Sequence, residues 1–359
     1  PLTLVFRLSS PDENFLSKLT LPGAMPCDEA FFNSTRGTYG LTAKTTLSSG
    51  PFYLYNWTSG GLFLRREPSG TRIDSLRLVQ NTNNADQSAI ELINSEKCSA
   101  AVDDTGSTTS LSSISYSDTT WSLLFNCNTI FSSTELRQAL AGVARDAAEV
   151  PSTELFATAD SLIPAGLNVD GMNYRDTVGE VSPAPVDVKA LYLAARQGMA
   201  NSDFNKITLM LPAGCGLNEA AETINGAWQK ELSLFFSIEE VDEETFRKRL
   251  AEGDYTIALA PVSAESGSVY NTLAQFTPAG GGLTGYSNAL YATQLEASTH
   301  ANGSTRCRLL GECERQLLSD CVVVPLFSQQ KRLLIASGVK SLIFDPFGPV
   351  LDLTYATKE

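Results

Sequence analysis

The chain has 359 residues, 43% of them hydrophobic and 18% charged, with 26 basic against 40 acidic side chains and a net charge of −14. Such a length exceeds what one compact core usually serves, so two lobes are expected, and the composition excludes a disordered chain. The acidic balance disfavours nucleic acid and anionic membrane as partners.

At the N-terminus Leu2, Leu4, Phe6 and Leu8 alternate with Thr3, Val5 and Arg7, predicting a half-buried strand. Ser10-Pro11-Asp12-Glu13 then opens a short helix ending at Leu19. Phe52 to Tyr55 and Leu62 to Arg65 read as strands joined at Gly60-Gly61, and Ile73 to Val79 as a third. Asp86 to Asn94 reads as a helix, and the Ser/Thr-rich run from Asp103 to Asp118 as a loop or weak strand. Trp121 to Asn126 is a strongly apolar strand. Ser133 to Arg145 is a helix with a hydroxyl cap and Glu135 in its first turn.

A proline-rich link precedes a helix over Val186 to Met199, and an alternating βαβαβ block follows. Its strands are Lys206 to Leu211, Leu234 to Val241 and Tyr255 to Ala260; its helices are Asn218 to Leu232 and Glu243 to Ala251. Two helices, Asn288 to Ser298 and Thr305 to Asp320, lead to a buried strand, Val322 to Phe327. Shorter strands at Gln329 to Ala336, Ser341 to Phe344 and Leu351 to Tyr355 close the chain. If the β-rich ends pair, the middle block is an insertion reached through two crossings, which is a hinge.

Little in the chain points to catalysis. There is no Gly-x-Ser-x-Gly, His-Glu-x-x-His or phosphate loop with Gly-Lys-Ser/Thr. The seven cysteines are irregularly spaced without Cys-x-x-Cys and read as buried free thiols, although a single pair among Cys307, Cys313 and Cys321 could bridge. His300 is the one histidine, so a conventional His-rich metal site is not expected, and no cofactor is indicated. The acidic clusters Glu239-Glu240 and Asp242-Glu243-Glu244 read as a solvated helix start. Trp228 sits in helical step with Ala221, Ile224 and Leu232 and reads as core, whereas Trp57 and Trp121 stand at strand ends and suit either a cleft or the interior.

Taken in order, several motifs resemble the oligopeptide-binding family of ABC-importer solute receptors, which includes dipeptide- and nickel-binding members. Ser48-Ser49-Gly50-Pro51-Phe52-Tyr53-Leu54 is similar to the family's Gly-Thr-Gly-Pro-Tyr-x-Leu. Gly60-Gly61 and Leu64-Arg65-Arg66-Glu67-Pro68 resemble its turn and Leu-x-Arg-Asn-Pro strand end. Phe125-Asn126, Phe131 and Arg137-Gln138-Ala139-Leu140 follow in register. So do Gly253-Asp254-Tyr255, the helix start at Tyr286, Asn288 and Tyr291, and the strand Asp320 to Phe327.

The resemblance implies an α/β, two-lobed periplasmic-binding-protein-like (type II) fold with mixed sheets and a hinge. Lobe one would comprise residues 1–132 plus 326–359, and lobe two residues 133–325. Pro1 matches a point inside the family pattern, so lobe one is expected to lack its N-terminal part. The implied function is extracytoplasmic capture of oligopeptides for ABC-transporter permease subunits, at the periplasm or cell surface, with membrane attachment only through a lipid anchor outside this chain. Ligand contacts are expected from Phe52, Tyr53, Trp121, Asn126, Val262, Ser263, Glu265 and Gln329. The family's aspartate for a ligand α-amine has no counterpart in Pro261-Val262-Ser263-Ala264-Glu265, where Glu265 is the acid available. A peptide sensor on the same scaffold, a receptor for another ligand, and a hydrolase with a converging acid pair are the competing readings.

Overall fold

The computed structural model describes residues 3–8, 15–19, 24–66, 72–79, 87–103, 106–151, 155–264, 267–347 and 351–359. The strands are, in chain order, β1 (Tyr53–Thr58), β2 (Gly61–Arg65), β3 (Ser75–Leu78), β4 (Ala100–Asp103), β5 (Ser112–Phe125), β6 (Phe156–Thr158), β7 (Asn168–Val169) and β8 (Met172–Asn173). They continue with β9 (Thr208–Pro212), β10 (Ser237–Val241), β11 (Ile257–Ser263), β12 (Val323–Ile335), β13 (Val339–Lys340), β14 (Ile343–Phe344), β15 (Leu351–Asp352) and β16 (Thr357–Lys358). Among the described residues no helix is long and apolar enough to cross a membrane.

Two compact units make up the chain: Pro1–Glu13, Tyr116–Lys331 and Pro346–Gly348 form the first, and Asn14–Ser115, Arg332–Asp345 and Pro349–Glu359 the second. The chain changes unit inside two long strands, β5 at 115/116 and β12 at 331/332. The sequence reading put the boundaries at 132/133, beyond the end of β5, and at 325/326, near the start of β12.

The first unit is an α/β sandwich. Its sheet runs β10-β9-β11-β5-β12, with β6 on β12. β9 is parallel to β10 and β11, and β11 is antiparallel to β5. Strand alternation sends Leu209, Leu211, Ile257, Leu259, Trp121 and Leu123 to one apolar layer with the helices Thr134–Ala147 and Asn218–Leu232. Met210, Ala258, Ala260, Val262 and Leu124 go to the other, beneath Ala289–Thr299 and Gly303–Ser319. Both faces are covered, which explains why these strands are apolar at successive positions.

Local chemistry accounts for the helices. Ser133 accepts from Leu136 N at 3.2 Å and caps Thr134–Ala147 as expected. Asp242 does the same for Glu243–Glu252 through Thr245 N, and Gly253 ends that helix at φ +69°. In Asn218–Leu232 the buried stripe Ala221, Ile224, Trp228 and Leu232 meets the core, and the Trp228 indole donates to Leu140 O at 2.9 Å. Burying the indole therefore leaves no donor unmet. Asn225 exchanges two bonds with the Phe236 backbone, tying the helix to the lead into β10.

Glu314 is fully buried and organises the second layer. It accepts from Leu162 N, Ile163 N and Tyr174 Oη, and pairs with Arg175 at 3.0 Å. Burial, and then the Glu314 charge, push the Tyr174 phenol well above its ordinary range. Gly311 lets its helix approach the Thr177-Val178 turn, where a Cβ would stand 2.6 Å from Val178 Cγ1.

The second unit holds the antiparallel sheet β1-β2-β3, a pairing of β4 with the end of β12, and the small pairs β13–β16 and β14–β15. A small core of Ala89, Ile93 and Leu334 joins the helix Ala89–Asn94 to β12. Arg66 is buried and donates to Thr354 O at 2.7 Å, while Ile73 N donates to Ala356 O, so the hairpin region is stitched to the C-terminal segment.

The structure departs from the sequence reading in two places. Residues 3–8 form no strand, and Leu4, Val5, Phe6 and Leu8 are exposed. The Ser/Thr-rich run, read as a loop or weak strand, is a strand in part, the first half of β5, where Ser117 Oγ lies 2.7 Å from Ser328 Oγ. The two strands expected after Asp320 are one, β12.

Candidate ligand-binding site

The C-terminal end of β11 lies beside β5, with Pro261 opposite Trp121, Val262 opposite Thr120 and Ser263 opposite Thr119. β12 flanks β5 on its other side, and Gln329 stands opposite Phe156 of β6. Two of the expected ligand residues thus meet, Trp121 and Gln329. The Trp121 indole donates to Gln329 Oε1 at 3.2 Å, and Ser263 ends the neighbouring strand. Trp121 is buried and its ring belongs to the core layer, so its role here is to aim the Gln329 amide. Gln329 is half-buried, and its Nε2 makes no hydrogen bond among the described residues.

A polar network that the sequence reading missed supports this end of the sheet. Asp118 is buried; its Oδ1 lies 2.8 Å from Lys331 Nζ and accepts from Thr119 Oγ1 at 2.8 Å. Its backbone carbonyl accepts from Ala264 N at 2.7 Å, which holds the chain leaving β11. Thr120 Oγ1 donates to Leu162 O, and Gln330 Nε2 to Ser328 Oγ. The one legible signal was a Lys-Arg pair inside an otherwise apolar-to-neutral strand.

Gly267, beyond β11, makes a close approach to residue 347. Its φ is +65°, and a Cβ there would stand 2.2 Å from Phe347 O. Only glycine lets residue 347 seat against this loop. Glu265 lies outside the described residues.

Two other expected contacts serve the interior. Asn126 is buried, donating to Gly253 O at 2.9 Å and Tyr255 O at 2.8 Å while Oδ1 accepts from Asn128 N. Its amide is fully used as a clamp between two loops. Val262 is 2% exposed and packs in the second apolar layer.

Phe52 and Tyr53 belong to the second unit. Phe52 is half-buried under the Arg66 guanidinium, 4.9 Å from its ring centre, and Tyr53 is exposed at the start of β1. Gly50 has no atom within 4 Å of a hypothetical Cβ, so sterics do not require glycine in that motif. Gly61 is the demanding position: φ is +128°, and a Cβ would meet Leu78 O at 2.3 Å.

All seven cysteines are free, including the three around the helix Gly303–Ser319. Trp228 is core, as expected, and His300 is exposed at a helix end, 3.7 Å from Glu296. Among the described residues no cluster of His, Cys, Asp and Glu could hold a metal ion.

No protein-family model matches the sequence, and no curated protein does. Solved structures do match. The pheromone receptor PrgZ, whose mode of peptide binding is known, superimposes with a TM-score of 0.70 at 19% identity, covering 98% of this chain and 73% of its own. The substrate-binding domain of an oligopeptide ABC transporter from Bacillus anthracis gives 0.68 at 20% identity, over 96% and 72%. OppA of Listeria monocytogenes, bound to peptide, gives 0.67 at 18% identity, over 98% and 72%. The chain therefore has the mixed α/β, periplasmic-binding-protein-like fold that these peptide-binding proteins share.

Proposed function

We infer that the protein belongs to the oligopeptide-binding family and captures peptides outside the cytoplasm for delivery to the permease subunits of an ABC importer. The observation that carries this reading is the likeness, over almost the whole chain, to receptors solved as peptide binders. It agrees with the ordered motifs from Ser48 to Phe327.

On this reading the end of β11 and the middle of β12 supply ligand contacts. Gln329 Nε2, aimed by Trp121, donates to a peptide carbonyl, and Ser263 adds a second polar contact. Main-chain hydrogen bonds of this kind hold a peptide whatever its side chains, which gives broad tolerance. Phe52 and Tyr53 are proposed as aromatic contacts, and Glu265 as the partner of a ligand amine. The lobes 1–132 plus 326–359 and 133–325 are proposed to close on the ligand about the two crossings between them. Closure then draws its free energy from ligand contacts made only in the closed form.

Ligands that bind only the folded protein raise its stability. A peptide mixture is expected to raise the melting temperature. A rise with sugars or metal chelates and none with peptides overturns the peptide assignment.

A further inference from the structure

The sheet β1-β2-β3 of the second unit has no acidic residue in any of its three strands, in a chain that carries 40. Register sets Tyr53 opposite Arg65 and Phe63 opposite Arg77. Alternation along β2 puts all four on one face. The register shifts between Leu54 and Asn56, and at this bulge Tyr55 meets the same face, its ring centre 3.7 Å from the Arg65 guanidinium carbon. The Arg77 guanidinium lies 5.3 Å from the Phe63 ring centre and donates from Nη2 to Gly60 O at 3.0 Å. Tyr53 and Tyr55 are 44% and 53% exposed, and both arginines are exposed.

A guanidinium resting on a ring keeps its in-plane N–H groups, so its fork remains open to a carboxylate. No hydrogen bond or ion pair among the described residues occupies the Arg65 fork. The surroundings decide which anion fits. The first unit holds 15 basic against 28 acidic residues, net −13, and the second 11 against 12, net −1. A chain this acidic repels a densely charged polyanion such as nucleic acid or an anionic bilayer. A polypeptide with a few carboxylates meets little of that repulsion beyond a Debye length of about 8 Å.

Spacing narrows the partner further. Arg65, opposite Ser75, and Arg77, opposite Phe63, are diagonal neighbours across β2 and β3, a placement that separates their backbone positions by about 7 Å. Side chains two residues apart on an extended chain share a side and are also separated by about 7 Å. We propose that this face docks an extended acidic segment of a partner polypeptide. Carboxylates at alternate positions sit on Arg65 and Arg77, and the residues around them lie over Tyr53 and Tyr55. This face shares Tyr53 with the proposed cargo contacts, whereas Gln329 and Ser263 belong to the first unit.

The test is fluorescence anisotropy with labelled acetyl-Thr-Glu-Thr-Glu-Thr-amide and its lysine analogue, at low and high salt. The acidic peptide binds, the lysine analogue does not, and salt weakens binding. R65Q–R77Q lowers affinity about tenfold or more, with an unchanged melting temperature. If that variant does not fold, R65K–R77K, which keeps charge and loses the fork, still weakens binding. Gln329→Ala leaves binding unchanged, because Gln329 belongs to the first unit and not to this face. The proposal is overturned if both peptides bind alike or the arginine variants bind normally. It is equally overturned if Gln329→Ala or an unlabelled cargo pool abolishes binding, or if only single-stranded DNA or anionic vesicles bind through these arginines.

Discussion

Lys331 Nζ lies 2.8 Å from Asp118 Oδ1, an ion pair joining the two strands through which the chain passes between its compact units. The next residue, Arg332, pairs with Asp103 at 2.6 Å within the other unit. Each side of the β12 crossing is thus anchored to a buried carboxylate, while the peptide bond between Lys331 and Arg332 is the point of change. Breaking one partner leaves a charge in a desolvated site. Asp118→Ala or Lys331→Met is expected to cost about 2–4 kcal/mol, discounted for the partial exposure of Lys331. Urea unfolding checks this, and in a double-mutant cycle Asp118→Ala with Lys331→Met together cost less than the two single changes summed.

Glu314 has no exposure and gathers four donor groups, so its removal strands several at once. Glu314→Ala should destabilise the first unit by about 3–5 kcal/mol. Glu314→Gln, which keeps the shape but donates where acceptance is needed, should fall between wild type and Ala in the same assay.

The glycines of the β1-β2 region divide cleanly. Gly61→Ala forces a Cβ against Leu78 O at 2.3 Å and strains a φ of +128°, so it should cost about 1–3 kcal/mol locally. Gly50→Ala meets open space and should stay within about 0.5 kcal/mol. Hydrogen-exchange protection of the amides in β1 and β2 is the readout, since this sheet can open without global unfolding.

How much of this was legible follows from the range of each interaction. The helix Asn218–Leu232 and the caps at Ser133 and Asp242 were readable because periodicity and capping lie within a few residues. The first half of β5 was legible only as a loop or weak strand, because Ser and Thr residues such as Ser117 find partners such as Ser328, far along the chain. Asp118 with Lys331 was invisible for the same reason. Asn126 illustrates the limit for the site: the motif placed it correctly at the end of β5, but only the structure shows its amide held by Gly253 and Tyr255. Residues 3–8 alternate like a strand, yet periodicity cannot supply a partner strand, and the structure assigns these residues to no strand.

Burial pushes the Cys313 thiol up to about 12. An unfolded thiol ionises near 8.5, so the folded form binds the proton more tightly than the unfolded form above that pH. The stability this group contributes is fully present below about 8.5 and is lost as pH rises toward about 12. Denaturation followed from neutral to alkaline pH should show a falling slope that is shallower in Cys313→Ala. Mass spectrometry after iodoacetamide treatment of the native protein should find exposed Cys27 alkylated and buried Cys313 protected until denaturant is added.

The central claim is peptide capture, and the most direct measurement is recovery of bound peptide. The protein is mixed with a complex peptide pool, separated by gel filtration and acid-released, and the released material is identified by mass spectrometry. Peptides of varied sequence should co-elute with the wild-type protein, and recovery should drop with Gln329→Ala. A folded protein that retains no peptide, while a sugar or metal chelate raises its melting temperature, would contradict the account.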